Sequence, residues 1–296
     1  LKELSPEQCT VKIIADSYSK FTDSRVTTFE LEYPRFIHSE LMTHRNFSRN
    51  ASSSRAVPVN SVLDQLSNDV AAPVFWGKNQ SGMQSYEELD DLSKKSVQGL
   101  WLEASKMAYS TAKVLSDMKV HKQVINRITE PFQHIKVVVT STDYDNFFKL
   151  RCHHAADPTM QQLANKMKDA YLSNEPEVLE EGDWHLPYID KRLIKEGGLS
   201  LEDALKISVS CCCQVSYRKQ DMSLDKANKI FEMLNLSSET EPAHASPTEH
   251  QAMCINDTKF GSVDTCLQGI THLDRKLNWY SGNFRGFVQY RQLLGV

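Results

Sequence analysis

The sequence contains no glycine-rich phosphate loop: neither GxGxxG nor GxxxxGK[ST] occurs in its 296 residues. A dinucleotide-binding Rossmann turn and a P-loop are both excluded, so any nucleotide must be held by side chains and helix ends. No CxxC pair occurs among the seven cysteines, and their odd number argues against a disulfide framework or a structural zinc site. Such usage suits a reducing compartment, the cytoplasm, or the host-cell cytoplasm if the chain is viral. No run of eighteen apolar residues is present, so no membrane-spanning helix is expected. The opening LKELSPEQCTVKII lacks the apolar core of a signal peptide. Net charge is only −4, which gives no global basic field to attract nucleic acid; an anion site has to be local.

What is present reads as one α+β domain spanning 1–296, since no Pro/Gly linker separates two complete patterns. VTTFELEY (26–33) alternates and predicts a strand. Pro34 is placed to open a helix running to about Arg45. SSSRAVPVNS reads as a turn, with Pro58 ending any helix nearby. Apolar spacing predicts a long helix over 86–118 and a shorter one over 121–129. HIKVVVTST (134–142) predicts a strand, and 142–151 a helix capped by Thr142 or Asp143. Residues 158–172 are amphipathic, and 174–198 read as a surface loop. Ser200 and Asp203 make a weak capping box ahead of 201–218, whose end fits helix or strand. Residues 224–236 predict a helix, 241–251 a polar loop, and the final NFRGFVQYRQLL a helix.

The chemistry concentrates in THRNFSRNASSSR (43–55), where three arginines, a histidine and five Ser/Thr residues crowd together. Two readings fit. Arginine forks, serines and free N–H groups suit a phosphate, and the same residues suit a helix C-terminus followed by a turn. Arg127 and, in DNFFKLR, Asn146 and Arg151 are further donors; the latter two lie a little over one helical turn apart. HASPTEHQ (244–251) fits a substrate or cofactor loop, an ordinary surface loop, or, less well without HEXXH, a metal site. CHH (152–154) is weak as a metal site, and the cysteine run 211–213 reads as a packing face.

Taken together these stretches resemble the flavin-dependent thymidylate synthases. That family's signature is Arg-His-Arg, seven residues, Ser, then Arg two further on. Here Thr43-His44-Arg45 is followed by seven residues, Ser53 and Arg55. FELEYPRFIHSELM resembles the lead-in to that motif, INRITEPF the segment with a nucleotide-binding arginine, DNFFKLR the segment with flavin-contacting Asn and pyrimidine-contacting Arg, and HASPTEHQ the His-x-Ser-Pro-x-Glu-His loop near the flavin. The chain departs from the family at Thr43 (Arg), Ala51 (Glu), Ala56 (Tyr) and Glu40 (Gln). The 215–251 segments also come last, where the family has them before the motif, which implies a circularly permuted or partly duplicated mixed sheet with long helices.

The resemblance implies transfer of a one-carbon unit from methylenetetrahydrofolate to carbon 5 of dUMP, giving dTMP, with FAD as cofactor and NADPH as reductant. It implies Arg151 as the catalytic contact to the base. Glu40, Thr43, Ser52, Ser53, Arg55, Arg127 and Arg151 would hold the nucleotide, and His44, Arg45, Asn146 and His250 the FAD, with no metal. The family's pocket is shared within a homotetramer, and helix 86–118 could supply interface or core. The altered motif leaves two alternatives: methylation or hydroxymethylation of another pyrimidine nucleotide such as dCMP, and a non-catalytic nucleotide-binding subunit.

Overall fold

The computed structural model describes residues 4–216, 220–236, 242–256 and 268–296. The chain opens with an antiparallel hairpin, β1 (Thr10–Ser19) and β2 (Ser24–Pro34). A helical turn ends in α1 (His38–Leu41), followed by β3 (Ser48–Ala51) and α2 (Val59–Asn68). Next come α3 (Asp91–Asp117), α4 (Lys122–Thr129), β4 (His134–Ser141), α5 (Asp145–Arg151) and α6 (Pro158–Ser173). Smaller pieces follow: β5 (Glu177–Leu179), β6 (Trp184–His185), α7 (Arg192–Lys195), α8 (Leu201–Cys213) and α9 (Leu224–Met233). The C-terminal part holds β7 (Ala252–Cys254), β8 (His272–Leu273), β9 (Trp279–Ser281), β10 (Phe284–Arg285), β11 (Phe287–Gln289) and α10 (Tyr290–Leu294). This is the mixed α+β class expected.

The main sheet runs β3-β4-β2-β1-β5, antiparallel except for the β1–β5 pair. β4 is paired on both edges, and all of it but Lys136 is buried. Alternation sends its side chains to two different layers. Ile135, Val137 and Val139 join Phe29, Leu31 and Tyr33 of β2 under α5 and α6, packing on Phe147, Phe148, Met160 and Leu163. Val138 faces the other way, toward Cys212 and Val215 at the end of α8. A second sheet, β11-β7-β6, closes over the far edge, where Ala252, Cys254, Phe284 and Phe287 bury Val26 and Leu179.

Several expectations are corrected. The Pro34-led helix stops at Leu41, because side chains capture the carbonyls that would continue it. Thr43 Oγ1 donates to Glu40 O (2.7 Å), and Arg49 Nη1 donates to Met42 O (2.9 Å) and His44 O (3.0 Å). Pro58 opens a helix instead of ending one, as N-cap of α2. The N-cap of α5 is Tyr144; Thr142 Oγ1 instead accepts from Arg285 N (2.9 Å). The stretch 174–198 supplies β5, β6 and α7, with Leu179 and His185 fully buried. The final segment is strand in its first half, β10 and β11, and helix only over Tyr290–Leu294; Gly286 between the strands sits at φ 72°, where a Cβ would meet Thr22 Oγ1 at 2.4 Å. The end of 201–218 is helical as far as Cys213. Cys266, Glu241 and residues 217–219 of the segments singled out above lie outside the described residues.

Phe29 has no solvent exposure and meets Tyr144 edge-on at 5.3 Å. Phe29→Ala is expected to lower the unfolding free energy by about 3–5 kcal/mol, read from urea unfolding. A loss under about 1 kcal/mol would mean this layer is not the main core.

Candidate functional site

The motif residues fall at the two ends of β3. At the first end the turn 42–47 rests on α5. His44 packs edge-on against Phe147 at 4.9 Å and stacks on Phe47 at 5.7 Å. Arg151, the last residue of α5, reaches back to the same turn. Its Nε donates to His44 Nε2 (3.0 Å), Nη1 to Glu40 Oε2 (2.8 Å), and Nη2 to Thr43 Oγ1 (3.3 Å) and Glu40 O (3.5 Å). Glu40, Thr43, His44 and Arg151 are therefore one cluster. Since a guanidinium only donates, His44 Nε2 accepts and the proton sits on Nδ1. Burial, then the Arg151 and Arg49 charges, push the His44 imidazole down to about 4, so it is neutral near pH 7. Burial pushes the Glu40 carboxyl up, Asp157 adds to this, and Arg151 opposes it. Glu40 and Arg151 line a cleft of about 550 Å³ whose other walls include Phe75, Gln84, His154 and Asp157. Arg45 and Asn146 are exposed beside this turn and on the first turn of α5, with no described residue engaging either side chain.

At the other end of β3, a turn carries Ser52 and Ser54 buried and Ser53 and Arg55 exposed. Neighbours grip its backbone. Asn126 Nδ2 donates to Ser54 O (2.7 Å) and Val57 O (3.0 Å), Arg35 Nη2 to Ser52 O (3.2 Å), and Lys122 Nζ to Ala56 O (2.9 Å). Ser53 N donates to Ser216 Oγ (3.2 Å). Arg127 is exposed on α4, one residue from Asn126, and pairs with Glu130 at 3.2 Å. Ser52, Arg35, His134 and Lys136 line a second cleft of about 380 Å³. Sequence reasoning gave no role to Arg35, Arg49 or Asn126; the available signal was Asn126 standing next to Arg127. A four-residue strand spans roughly 13 Å; the cleft at the Arg151 cluster and the cleft at Ser52 have no lining residue in common. A third cavity, about 690 Å³ and lined by Leu66, Asp69, Leu102, Lys106 and Tyr109, contains none of the expected residues.

His250 lies on the opposite face of the sheet from Arg151. It is fully buried, with Nδ1 2.8 Å from Thr140 Oγ1 and Nε2 3.2 Å from the Asn50 carboxamide. The contacts continue from Thr140 to Thr28 (2.7 Å), from Thr28 to His185 Nε2 (2.8 Å), and from His185 Nδ1 to Ser17 (2.9 Å). One assignment satisfies every link. The Asn50 amide nitrogen, turned to donate to Ser246 O, also donates to His250 Nε2. Each proton then points onward to Ser17, with both imidazoles neutral. The polar loop expected at 241–251 is exposed at the start of its described part and at Ser246, but Pro247, Thr248, His250 and Gln251 are buried and brace β3 and β4. On the same face Cys211 and Cys212 are buried as a packing surface, and burial pushes the Cys211 thiol up to about 12.

Burial pushes His250 down to about 3 and His185 well below its ordinary value. Between about pH 6.5 and 3 the unfolded chain binds protons that the folded chain refuses, so stability is full above that window and falls as pH drops through it. Urea midpoints should fall from pH 7 to about pH 4.5, and His250→Gln should flatten the fall. An unchanged slope in that variant would show that the imidazole does not titrate on unfolding.

A family model described as "Thymidylate synthase complementing protein" matches residues 7–177, more than half of the chain. The solved structures similar to the chain include the UMP/dUMP methylase PolB from Streptomyces cacaoi bound with 5-Br UMP. It is 18% identical over 57% of this chain and 90% of that one, with a TM-score of 0.46. The same enzyme bound with 5-Br dUMP gives 15% identity, 55% and 89% coverage, and a TM-score of 0.45. No curated protein sequence matches the chain. The matched run takes in β1 to β4, the motif turns at both ends of β3, and Arg151 on α5. The chain belongs to the thymidylate synthase complementing protein family, the flavin-dependent thymidylate synthases that its motif residues resemble.

Proposed function

We propose that this protein transfers a one-carbon unit from methylenetetrahydrofolate to carbon 5 of a pyrimidine nucleotide monophosphate. Family membership points to dUMP as substrate and dTMP as product. The observation that carries the reading is the Arg151 cluster, where one guanidinium gathers Glu40, Thr43 and His44 at the mouth of a cleft. Arg151 contacts the base and stabilises the enolate-like charge that builds on the ring, a role worth ~3–4 kcal/mol in comparable sites. Ser52, Ser53, Arg55 and Arg127 hold the nucleotide, and the grips on the 52–57 turn fix Ser53 and Arg55 for that purpose.

The donors near the Arg151 cluster suit FAD. Arg45 offers a free charge for a pyrophosphate, Asn146 a free amide, and the neutral His44 a free Nδ1–H. When bound, FAD reduced by NADPH supplies the reducing equivalents that complete the transferred group. His250 is linked to the flavin by the family resemblance alone; within one chain its ring braces β3 and β4.

The separation along β3 supports a homo-oligomer, with tetramer the expected state, in which one copy's Ser53–Arg55 turn meets another copy's Arg151 cluster. Exposed Val97, Leu100, Met107, Val114 and Met118 follow one another at steps of three, seven, seven and four residues along α3 and its C-cap, an apolar seam suited to a neighbouring helix. Residues 1–296 act as one domain in this reading, with the C-terminal sheet sharing the core at Val26 and Leu179. A permuted or partly duplicated layout belongs to it too. In its support, the 246–250 segment lies outside the matched run yet packs on Asn50 and Thr140 within that run.

A second reading, action on dCMP, is favoured by one observation: a carboxylate, Glu40, already occupies the base-facing arginine.

Purified protein given FAD, NADPH, methylenetetrahydrofolate and either dUMP or dCMP should yield a product heavier by a methyl or hydroxymethyl group. Arg151→Ala should abolish turnover while leaving the fold intact. Near-normal rates in that variant would remove Arg151 from the site. Protein that binds no FAD and yields no product would favour a non-catalytic subunit.

A further inference from the structure

We propose that Asn283 is a positioning residue of the flavin half of the site: it fixes the motif turn so that Arg45 meets the FAD pyrophosphate. The inference rests on the reading above, in which Arg45 offers its charge to that group. Arg45 lies between two residues whose carbonyls are held. Arg49 Nη1 donates to His44 O (3.0 Å). Asn46 O accepts from Asn283 Nδ2 (2.8 Å) and from Ser141 Oγ (3.1 Å). Arg49 and Ser141 belong to the run matched by the family model, and Asn283 lies far beyond it. Among the described residues, Asn283 is the only one past that run whose side chain donates to the backbone of the 42–47 turn.

The sequence builds this contact at the tip of a tight hairpin. β9 and β10 pair through Ser281 and Phe284, leaving Gly282 and Asn283 as a two-residue turn. Gly282 stands at φ 58°, as a glycine-first turn requires, and a Cβ there would meet Gln289 Oε1 at 2.6 Å. Phe284 is fully buried and anchors the returning strand. Gln289 of β11, 2% exposed, then sets which way the Asn283 amide points. Its Nε2 donates to Glu249 O (3.1 Å) and to Asn283 Oδ1 (2.9 Å). The chain of contacts ends on two carbonyls, Glu249 O and Asn46 O, which only accept, so each amide has one orientation that satisfies it. Ser48 Oγ, buried at the start of β3, lies 3.2 Å from Asn283 Nδ2 and ties the same amide to the strand. Asn283 acts through the backbone of Asn46, so changing it redirects Arg45 without removing a ligand.

The test is fluorescence titration of the full chain with FAD, beside calorimetric titration with dUMP and dCMP, on the wild type, Asn283→Ala, Asn283→Asp and Arg45→Ala. Loss of the donor should weaken FAD binding roughly five- to tenfold in both Asn283 variants, since aspartate keeps the size and lacks the N–H. Nucleotide affinity should not change, because Ser53, Arg55 and Arg151 are held by other donors. The double variant Arg45→Ala/Asn283→Ala should bind FAD no more weakly than Arg45→Ala alone, because both changes act on one contact. Equal FAD affinity in the wild type and the Asn283 variants would overturn the proposal, and so would additive losses in the double variant. Equal losses for FAD and nucleotide, or unfolding of both Asn283 variants, would assign Asn283 a purely structural role and overturn it as well. A wild-type chain that binds no FAD would instead remove the flavin reading, and this inference with it.

Discussion

Both functional layers of the molecule depend on one strand with two dry faces. β4 is paired along both edges and buries every residue but Lys136. Its odd-numbered residues hold the aromatic layer that carries α5, and so fix where Arg151 emerges. Its even-numbered residues include Val138 and Thr140, which receive α8 and the His250 brace. A one-residue slip of β4 would exchange valines for polar groups across both layers. The register is therefore set by burial on both sides, and with it the position of every motif residue on β3.

That geometry separates the donors. β3 pairs with β4 through only four residues, and its two flanking turns carry different halves of the signature motif. Arg49, at the centre of the strand, shapes the first turn by taking two of its carbonyls. Asn126 and Arg35 shape the second in the same way. Each turn is held by its own set of side-chain hydrogen bonds. In the proposed function the two turns complete each other between copies, and the exposed apolar residues of α3 offer a surface on which copies can meet.

Much of this was legible in the sequence where periodicity was long. β2, β4, α6 and α9 lie close to their expected bounds, because each buries a regular pattern over several turns or residues; α3 lies close to its bounds too, although Leu92, Leu100, Met107 and Met118 of its pattern are exposed. Thr43, His44 and Arg151, each singled out by the family resemblance, lie in one cluster. Glu40 was legible only as a departure from the family, not as the ion-pair partner of Arg151. The losses have physical causes. β5 and β6 are too short to show a period and exist only through pairing with β1 and β7, far away in the chain. In NFRGFVQYR the buried residues Phe284, Phe287 and Val288 fit a helical period as well as the two short strands observed, β10 paired with β9 and β11 with β7, and the left-handed Gly286 stands between those strands. His250 looked like part of a polar loop because the hydroxyl partners that let it be buried come from other strands.

The central claim is that two half-sites at opposite ends of β3 combine across copies of the chain. Subunit complementation tests it most directly. Arg55→Ala and Arg151→Ala are each expected to be inactive alone, because each spoils one half of every site. Mixed, unfolded together and refolded, they should regain a fraction of wild-type turnover through hybrid sites that pair the intact halves. A mixture as inactive as its parents, in oligomers verified to contain both variants, would place the whole site within one chain and contradict the account.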